Sequence, residues 1–231
     1  MITLALDAST YVGTVAVIRD GRVIAEGETA MRGRDIERLM PAVAAALDAA
    51  GVTAAQVERV VCGDGPGSFT SLRIAASIAK GLATGTGAVL MRVSSLALVP
   101  AGSPALAPGP YVAVLDALRG DVYFQRLAVE PGGDVVPEHE GALGPVDAVA
   151  RMAEAEGARV VGPAAVLDLL PGVPREGARS ALDLAPHARG VVRLEAALQP
   201  ADLASWEPRY GRLAEAQVKW EAAHGRPLPA S

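Results

Sequence analysis

The residues with the clearest chemical potential form a glycine-rich junction between an apolar strand end and a helix. The junction reads Gly-Asp-Gly-Pro-Gly-Ser-Phe-Thr over residues 63–70. Because glycine permits positive φ and proline fixes φ at about −65°, this composition predicts a sharp turn. Ser68 has a side chain that helix N-caps prefer, and a helix N-terminus can receive an anion. Gly65, Gly67 and Ser68 are therefore candidate phosphate ligands.

The junction matches neither of the common nucleotide-binding loops. No Gly-Lys-Ser/Thr follows it, as a Walker A loop requires, and the third glycine of the dinucleotide fingerprint is missing. A plain turn into a buried helix remains the alternative interpretation of these residues.

The side chains that bind metals or attack substrates are few and scattered. The histidines are His139, His187 and His224, so none has another histidine within one helical turn. A zinc or iron site of the common helical spacing needs such a pair. The single cysteine, Cys62, ends an apolar run and is interpreted as a buried, inert thiol. Because the histidines do not pair, we expect no metal site. No serine of the junction has a histidine neighbour in the sequence, so we also expect no catalytic residue.

The hydrophobic pattern predicts the elements that position these residues. Asp20-Gly21 lies between two alternating runs, residues 13–19 and 22–28, which predicts a β-hairpin. The other predicted elements of this half are a strand at residues 2–6, a helix at 35–50, a strand at 59–62, a helix at 68–84 and a strand at 88–93. The order β-β-β-α-β-α-β indicates a mixed sheet with crossover helices.

The second half restarts this pattern after a stretch rich in proline and glycine. Residues 100–110 have the composition of a linker. The elements predicted beyond it are a strand at residues 111–115, a hairpin of 122–129 and 134–140, a helix near 145–156, a strand at 159–161 and a helix near 163–170. We therefore predict an N-terminal lobe at residues 1–100, a linker at 101–110 and a C-terminal lobe at 111–231. The tail from Asp202 to His224 is predicted to be helical in part, with Trp206 and Trp220 as anchors.

The composition narrows the class of protein. Hydrophobic residues make up 51% of the 231 residues, which excludes general disorder. The net charge of −5 argues against a dedicated nucleic-acid binder, so a partner would supply the positive charge for any such contact. One cysteine fits a reducing compartment, and the sequence has neither a basic leader nor an apolar run of about 20 residues. We expect a cytoplasmic protein without a membrane segment.

Both helices of the first half are apolar on more than one side. Leu39, Val43 and Leu47 have the spacing of a core stripe, and alanines occupy the opposite side of that helix. Small residues in rows let another helix approach closely with little side-chain entropy to lose. This pattern predicts a surface for a partner, while a merely alanine-rich composition remains the alternative. The predicted partner surface comprises Leu39, Ala42, Ala45, Ala46, Ala49, Phe69, Arg73, Ala75, Ala76, Ala79, Lys80 and Ala83.

Five segments, in order along the chain, resemble one family. They are Leu-Ala-Leu-Asp-Ala-Ser-Thr at residues 4–10, Arg-Leu-Met-Pro at 38–41, Gly-Asp-Gly-Pro-Gly-Ser-Phe-Thr-Ser-Leu-Arg-Ile at 63–74, Leu-Asp-Ala-Leu-Arg-Gly-Asp-Val-Tyr at 115–123 and Glu-Pro-Arg-Tyr-Gly-Arg at 207–212. Together they resemble the TsaB (YeaZ-type) family, an accessory subunit of the bacterial machinery that makes N6-threonylcarbamoyladenosine at position 37 of tRNA. Ser71 departs from the glycine that the family usually has there.

The resemblance implies an α/β chain with the actin/Hsp70/sugar-kinase fold, built from two ribonuclease-H-like lobes. It implies a non-catalytic scaffold that pairs with a TsaD-type catalytic subunit, joined by a TsaE-type ATPase subunit, and that pairs with itself when the partner is absent. The resemblance implies no cofactor bound by this chain alone. It allows ATP or ADP to bind at the interface with the catalytic subunit. A stand-alone actin-fold ATPase or kinase, or a Gcp-like peptidase, is the alternative.

The same resemblance makes Asp7 a further candidate ligand for a cofactor. In active members of the superfamily, an aspartate at the end of the opening strand works with phosphate or magnesium in a glycine-bearing turn. Asp7 and Asp116 end the opening strands of the two halves here, but neither turn has that glycine. An aspartate that ties down its own turn through its side chain is the alternative.

Overall fold

The computed structural model describes residues 1–31, 37–117, 119–174, 181–211 and 224. The strands are β1 (Ile2–Asp7), β2 (Val12–Arg19), β3 (Arg22–Ala30), β4 (Arg59–Gly63), β5 (Val89–Val93), β6 (Gly109–Asp116), β7 (Asp121–Val129), β8 (Val135–Pro137), β9 (Ala142–Pro145), β10 (Arg159–Gly162), β11 (Leu182–Asp183) and β12 (Gln199–Pro200). The helices are α1 (Leu39–Ala49), α2 (Phe69–Thr86), α3 (Ser95–Ala101), α4 (Val146–Glu156) and α5 (Ala164–Leu167). None of the described helices is long and apolar enough to cross a membrane.

The strands form two mixed sheets with the same core topology. The first has the order β3-β2-β1-β4-β5-β12, and the second has the order β8-β7-β6-β10-β11 with β9 also paired to β7. In each, the opening strand runs antiparallel to the second strand and parallel to the strand that follows the first long helix. This repeat confirms the predicted α/β fold with two ribonuclease-H-like lobes.

The hairpin at Asp20-Gly21 has the geometry that its sequence predicts. Asp20 has φ of 50° and Gly21 has φ of 75°. Two successive positive φ angles define the type I′ turn, whose twist matches that of the flanking strands. Arg19 and Arg22 face each other across the turn, and the ladder continues to the pair Val12 and Ala30.

The first helix begins later than predicted. The expected start at Asp35 lies outside the described residues, and the helix runs from Leu39. The carboxylate of Glu37 accepts hydrogen bonds from the backbone N–H groups of Leu39 and Met40, so a side chain before the helix satisfies its first donors. Pro41 belongs in this first turn because it has no N–H to donate to a preceding residue.

The hydrophobic pattern does not predict α3, which joins the two halves. All seven residues of this helix are buried. The core around it draws Ala5 and Val61 from the first sheet and Ala113 and Leu115 from the second. The sheets therefore pack through one shared core. The division into residues 1–100, 101–110 and 111–231 stays a prediction.

The last described segment returns to the first sheet. Gln199 pairs with Arg92 across β12 and β5, which makes β12 the outer strand of that sheet. Trp206 is buried in the core of the first sheet, as its role of anchor predicts. Residues 203–205 form a turn, closed by the N–H of Trp206 on the carbonyl of Asp202, and residues 206–210 are irregular. Of the tail predicted to be helical in part, only His224 among the described residues is in a helix. Trp220 lies outside the described residues.

Candidate functional site

The glycine-rich junction forms the predicted strand–loop–helix unit. β4 ends at Gly63 and α2 begins at Phe69. Gly65 has φ of 84°, and its N–H donates to Oγ of Ser95 at 3.0 Å. The N–H of Ser68 donates to the carbonyl of Ser9 at 2.7 Å. The loop is thus held by both the turn after β1 and the start of α3.

The glycines of the junction are required by close backbone contacts inside the chain. A Cβ at Gly67 would lie 2.1 Å from the carbonyl oxygen of Ser9. A Cβ at Gly65 would lie 2.4 Å from the carbonyl oxygen of Arg209. Protein backbone, rather than open space, therefore lies against both residues. Their role as phosphate ligands stays a prediction.

Ser68 occupies the N-cap position of α2 but does not make the predicted cap. Its hydroxyl lies 3.0 Å from Oγ of Ser71 and accepts no backbone N–H. Ser71 is the third residue of the helix, so its hydroxyl competes with the backbone donors that a capping serine would bind. The predicted capping bond is therefore wrong: the hydroxyl of Ser68 pairs with that of Ser71 instead of a backbone N–H.

Asp7 is a fully buried carboxylate with a complete set of donors. It accepts hydrogen bonds from the N–H of Ser9 at 3.0 Å, from Oγ of Ser9 at 2.8 Å and from Oγ of Ser95 at 2.5 Å. Its side chain thus ties down its own turn and links it to α3. Burial is the main reason that the pKa of Asp7 is raised above 3.8, although these donors lower it. Asp116, the counterpart in the second lobe, is exposed.

The raised pKa of Asp7 predicts how its charge affects stability. A carboxyl with a raised folded-state pKa favours the folded state only while it is protonated. The stability of the wild type relative to Asp7→Asn should therefore fall as the pH rises above 3.8 and level off beyond the folded-state pKa. Urea unfolding of both proteins between pH 3.5 and 8 measures this difference. A difference that grows in favour of the wild type with rising pH would contradict it.

A second buried carboxylate, Asp64, organises the other side of the junction. Its carboxylate accepts from Arg92 Nη1 at 2.5 Å and from Trp206 Nε1 at 3.1 Å, and it lies 3.5 Å from Arg209 Nε. Its backbone carbonyl accepts the N–H of Arg209 at 2.7 Å. Sequence reasoning missed this cluster because its members are far apart along the chain and share no spacing. Asp64 belongs to the motif at residues 63–74 and Arg209 to the motif at residues 207–212, but neither motif indicates that these two residues meet.

Beside Asp64 a cavity of about 530 Å³ opens between the two lobes. Arg92, Ser94 and Gln125 line its inner part. At its mouth the guanidinium of Arg209 makes a two-point contact with the carboxylate of Glu140, at 3.0 Å from each nitrogen. Cys62 is buried nearby in β4, and burial raises the pKa of its thiol well above 9.0, as expected for an inert residue.

The predicted partner surface divides into a buried part and an exposed part. The buried residues pack inside this chain, so their placement on a partner surface is wrong. They are Leu39, Ala46, Ala75, Ala76, Ala79 and Ala83. The row of alanines on α2 lies against the first sheet, where small side chains allow the helix to pack closely on the strands. The alanine row that predicted a partner surface is therefore part of the hydrophobic core of this chain.

The exposed part lies on the outer sides of α1 and α2. Ala45 and Ala49 are exposed on α1 and Ala42 is half-buried. The side chains at these three positions are therefore all small. On α2, Arg73 is exposed, with its guanidinium 5.4 Å from the ring centre of Phe69. We use the name helical face for this exposed surface. It consists of Ala42, Ala45, Ala49, Phe69 and Arg73, together with the residues of the groove described in the next paragraph.

Aromatic contacts join the helical face to the last segment. Phe69 and Tyr210 have ring centres 4.5 Å apart. Lys80 Nζ lies 5.8 Å from the ring centre of Trp206, so this predicted interface lysine contacts the core anchor of the same chain. A shallow groove between α2 and the start of α1 continues the face and is lined by Glu37, Phe69, Thr70, Arg73, Ile74, Ser77 and Ile78.

Comparison with known proteins agrees with this architecture. The family model of tRNA N6-adenosine threonylcarbamoyltransferase, TsaD, matches residues 31–160. The chain is 33% identical to the tRNA threonylcarbamoyladenosine biosynthesis protein TsaB of Bacillus subtilis over 145 residues, which cover 62% of this chain and 63% of the relative. It is 34% identical to the TsaB of Escherichia coli over 134 residues, which cover 58% of each chain. The chain thus matches somewhat less than two thirds of the length of these curated relatives.

Two solved structures extend the match over most of the fold. A protein from Pseudomonas aeruginosa with similarity to peptidase YeaZ superposes with a TM-score of 0.75 and 27% identity, and covers 91% of this chain and 99% of its own. A structure of YeaZ from Pseudomonas aeruginosa superposes with a TM-score of 0.69 and 28% identity, and covers 84% and 90%. The family model is that of TsaD, and the curated relatives and solved structures bear the names TsaB and YeaZ. The chain therefore belongs to the TsaB (YeaZ-type) family.

Proposed function

We propose that this chain is a non-catalytic subunit in the biosynthesis of N6-threonylcarbamoyladenosine in tRNA. It pairs through its helical face with a TsaD-type catalytic subunit, which transfers the threonylcarbamoyl group to adenosine 37. A TsaE-type ATPase joins the same cytoplasmic assembly, and ATP or ADP binds at the interface with the catalytic subunit. Two copies of the chain pair through the same face when that subunit is absent. The curated relatives are tRNA threonylcarbamoyladenosine biosynthesis proteins, which supports the pathway.

The observation that carries the non-catalytic role is the environment of Asp7. An aspartate that held magnesium or phosphate would have to present its oxygens to a ligand. Both oxygens of Asp7 are instead buried and bound by Ser9 and Ser95. The junction beside it is packed against the backbone of Ser9 and Arg209. These contacts support a structural use of the motifs over a stand-alone ATPase or kinase.

The exposed sides of α1 and α2 support the pairing. The exposed residues of α1 include Ala44, Ala45 and Ala49, and the helix carries one charged residue, Asp48. The neighbouring side of α2 offers Ser77 and further small residues next to half-buried isoleucines. Small side chains at these positions let the backbones of two further helices approach closely. Because the chain has a net charge of −5, tRNA contact falls to the partner.

The test is co-purification with the TsaD-type subunit of the same organism, followed by a tRNA modification assay with and without this chain. Ala45→Arg and Ser77→Arg place a long cation in the closely packed part of the proposed interface. An uncompensated buried charge costs about 3 kcal/mol, so we expect about a hundredfold weaker association and little change in melting temperature. Ala148→Arg is the matched control, because Ala148 is an exposed alanine on α4.

Two results would contradict the proposal in different ways. If both Ala45→Arg and Ser77→Arg bind the TsaD-type subunit with unchanged affinity, the helical face is not the interface. If tRNA is modified equally well without this chain, the chain has no role in the pathway.

A further inference from the structure

The cavity beside Asp64 holds an ion pair that resembles a bound ligand. Glu140 and Arg209 meet through two nearly equal contacts of 3.0 Å, the geometry in which a guanidinium binds a free carboxylate. Glu140 is 76% exposed and Arg209 is 47% exposed. Because both side chains are in contact with solvent, another carboxylate can reach Arg209 and compete with Glu140 for the same two contacts.

We propose that this cavity binds a small monocarboxylate with an apolar body, whose carboxylate replaces that of Glu140 on Arg209. The volume of about 530 Å³ falls within the range of small-molecule sites. The site is separate from the helical face and does not depend on the proposed pairing with a catalytic subunit.

The charges around the cavity favour one negative charge on the ligand. Arg92 and Arg209 supply two positive charges, but the buried carboxylate of Asp64 is bound to Arg92 and also lies 3.5 Å from Nε of Arg209. Asp64 and Glu138 also line the cavity, and both are acidic. A dianion such as phosphate would meet their repulsion, whereas a single carboxylate restores the charge that Glu140 provides now.

The remaining lining suits an apolar body above a fixed polar floor. Val136 and Leu143 are 39% and 44% exposed where they line the cavity, so both offer apolar surface to a ligand. On the floor, Gln125 is 3% exposed, accepts from Oγ of Ser94 at 2.7 Å and donates to the carbonyl of His139 at 2.7 Å. These bonds fix the orientation of the Gln125 amide in the lining of the cavity.

Benzoate is a suitable probe, with benzamide as its neutral counterpart of the same shape and inorganic phosphate as a competing anion. Binding to the full chain is measured by titration calorimetry. We expect benzoate to bind, benzamide to bind at least about tenfold more weakly, and phosphate not to compete. Arg209→Gln should weaken benzoate by about tenfold or more. Arg126→Gln is the control, because Arg126 forms a similar ion pair, with Glu156, that is not part of the cavity.

Glu140→Gln distinguishes a ligand site from a purely structural ion pair. Removal of the internal competitor should tighten benzoate binding about threefold or more, whereas a structural role predicts no gain. This variant decides the matter should Arg209→Gln fail to fold. Equal binding of benzoate and benzamide, weaker binding by Glu140→Gln, or displacement of benzoate by phosphate would each overturn the proposal.

Discussion

Replacement of Gly67 by alanine is expected to lower the free energy of unfolding by about 3 kcal/mol, the upper end of what overpacking usually costs. The added Cβ would lie 2.1 Å from the carbonyl oxygen of Ser9 and 2.7 Å from its carbonyl carbon. Both atoms belong to the backbone, so no side-chain rotation relieves the clash. The loop must move, and the hydrogen bond from the N–H of Ser68 to Ser9 is lost with it. For a chain of this length the melting temperature should fall by about 6–12 °C.

Gly81→Ala is the matched control for that substitution. Gly81 is exposed within α2 and has no atom within 4 Å of an added Cβ. Alanine in a helix is more favourable than glycine by about 0.5–1 kcal/mol, so the control should raise stability slightly. Thermal and urea unfolding of both variants measure the change in unfolding free energy, which should be a loss for Gly67→Ala and a small gain for Gly81→Ala. Equal effects of the two substitutions would show that the contact at Gly67 does not constrain the fold.

Asp64→Ala is expected to cost about 3 kcal/mol of unfolding free energy. The substitution leaves Arg92 without its carboxylate and the indole N–H of the buried Trp206 without an acceptor. Loss of one partner of a buried ion pair costs about 3–5 kcal/mol, and the 23% exposure of the Arg92 side chain favours the lower end.

Glu156→Ala tests whether burial is the cause. Glu156 forms an ion pair with Arg126, and the two side chains are 36% and 31% exposed. Surface pairs of this kind contribute about 0.2–1 kcal/mol, so this variant should remain close to the wild type in urea unfolding. A loss of less than 1 kcal/mol in Asp64→Ala, or the same loss in both variants, would mean that the Asp64 cluster does not hold the last segment in place.

Features that depend on neighbouring residues could be predicted from the sequence. The turn at Asp20-Gly21 needs only two residues that tolerate positive φ, and the junction at residues 63–70 needs only a strand, a cluster of glycines and a helix. The order of elements in the first half follows from the same local signals. The family also follows from contiguous segments, because a motif keeps its spacing whatever surrounds it.

Features that depend on which element packs on which could not be predicted. A row of alanines on α2 indicates that something approaches closely, but a sheet of the same chain and a helix of a partner leave the same pattern. Ala46 and Ala49 are three positions apart on α1, yet the strands cover only Ala46. α3 was missed because a short helix buried on all sides has no polar face and therefore no period to detect.

The return of the last segment to the first sheet has a consequence for synthesis on the ribosome. Trp206 and Asp64 are 142 positions apart, and their hydrogen bond helps to complete the core of the first lobe. A nascent chain that has finished β5 still lacks β12 and Trp206, so its first sheet keeps an open edge and an uncovered apolar patch while the second lobe is being made. The first lobe is thus the first to begin folding and among the last to finish.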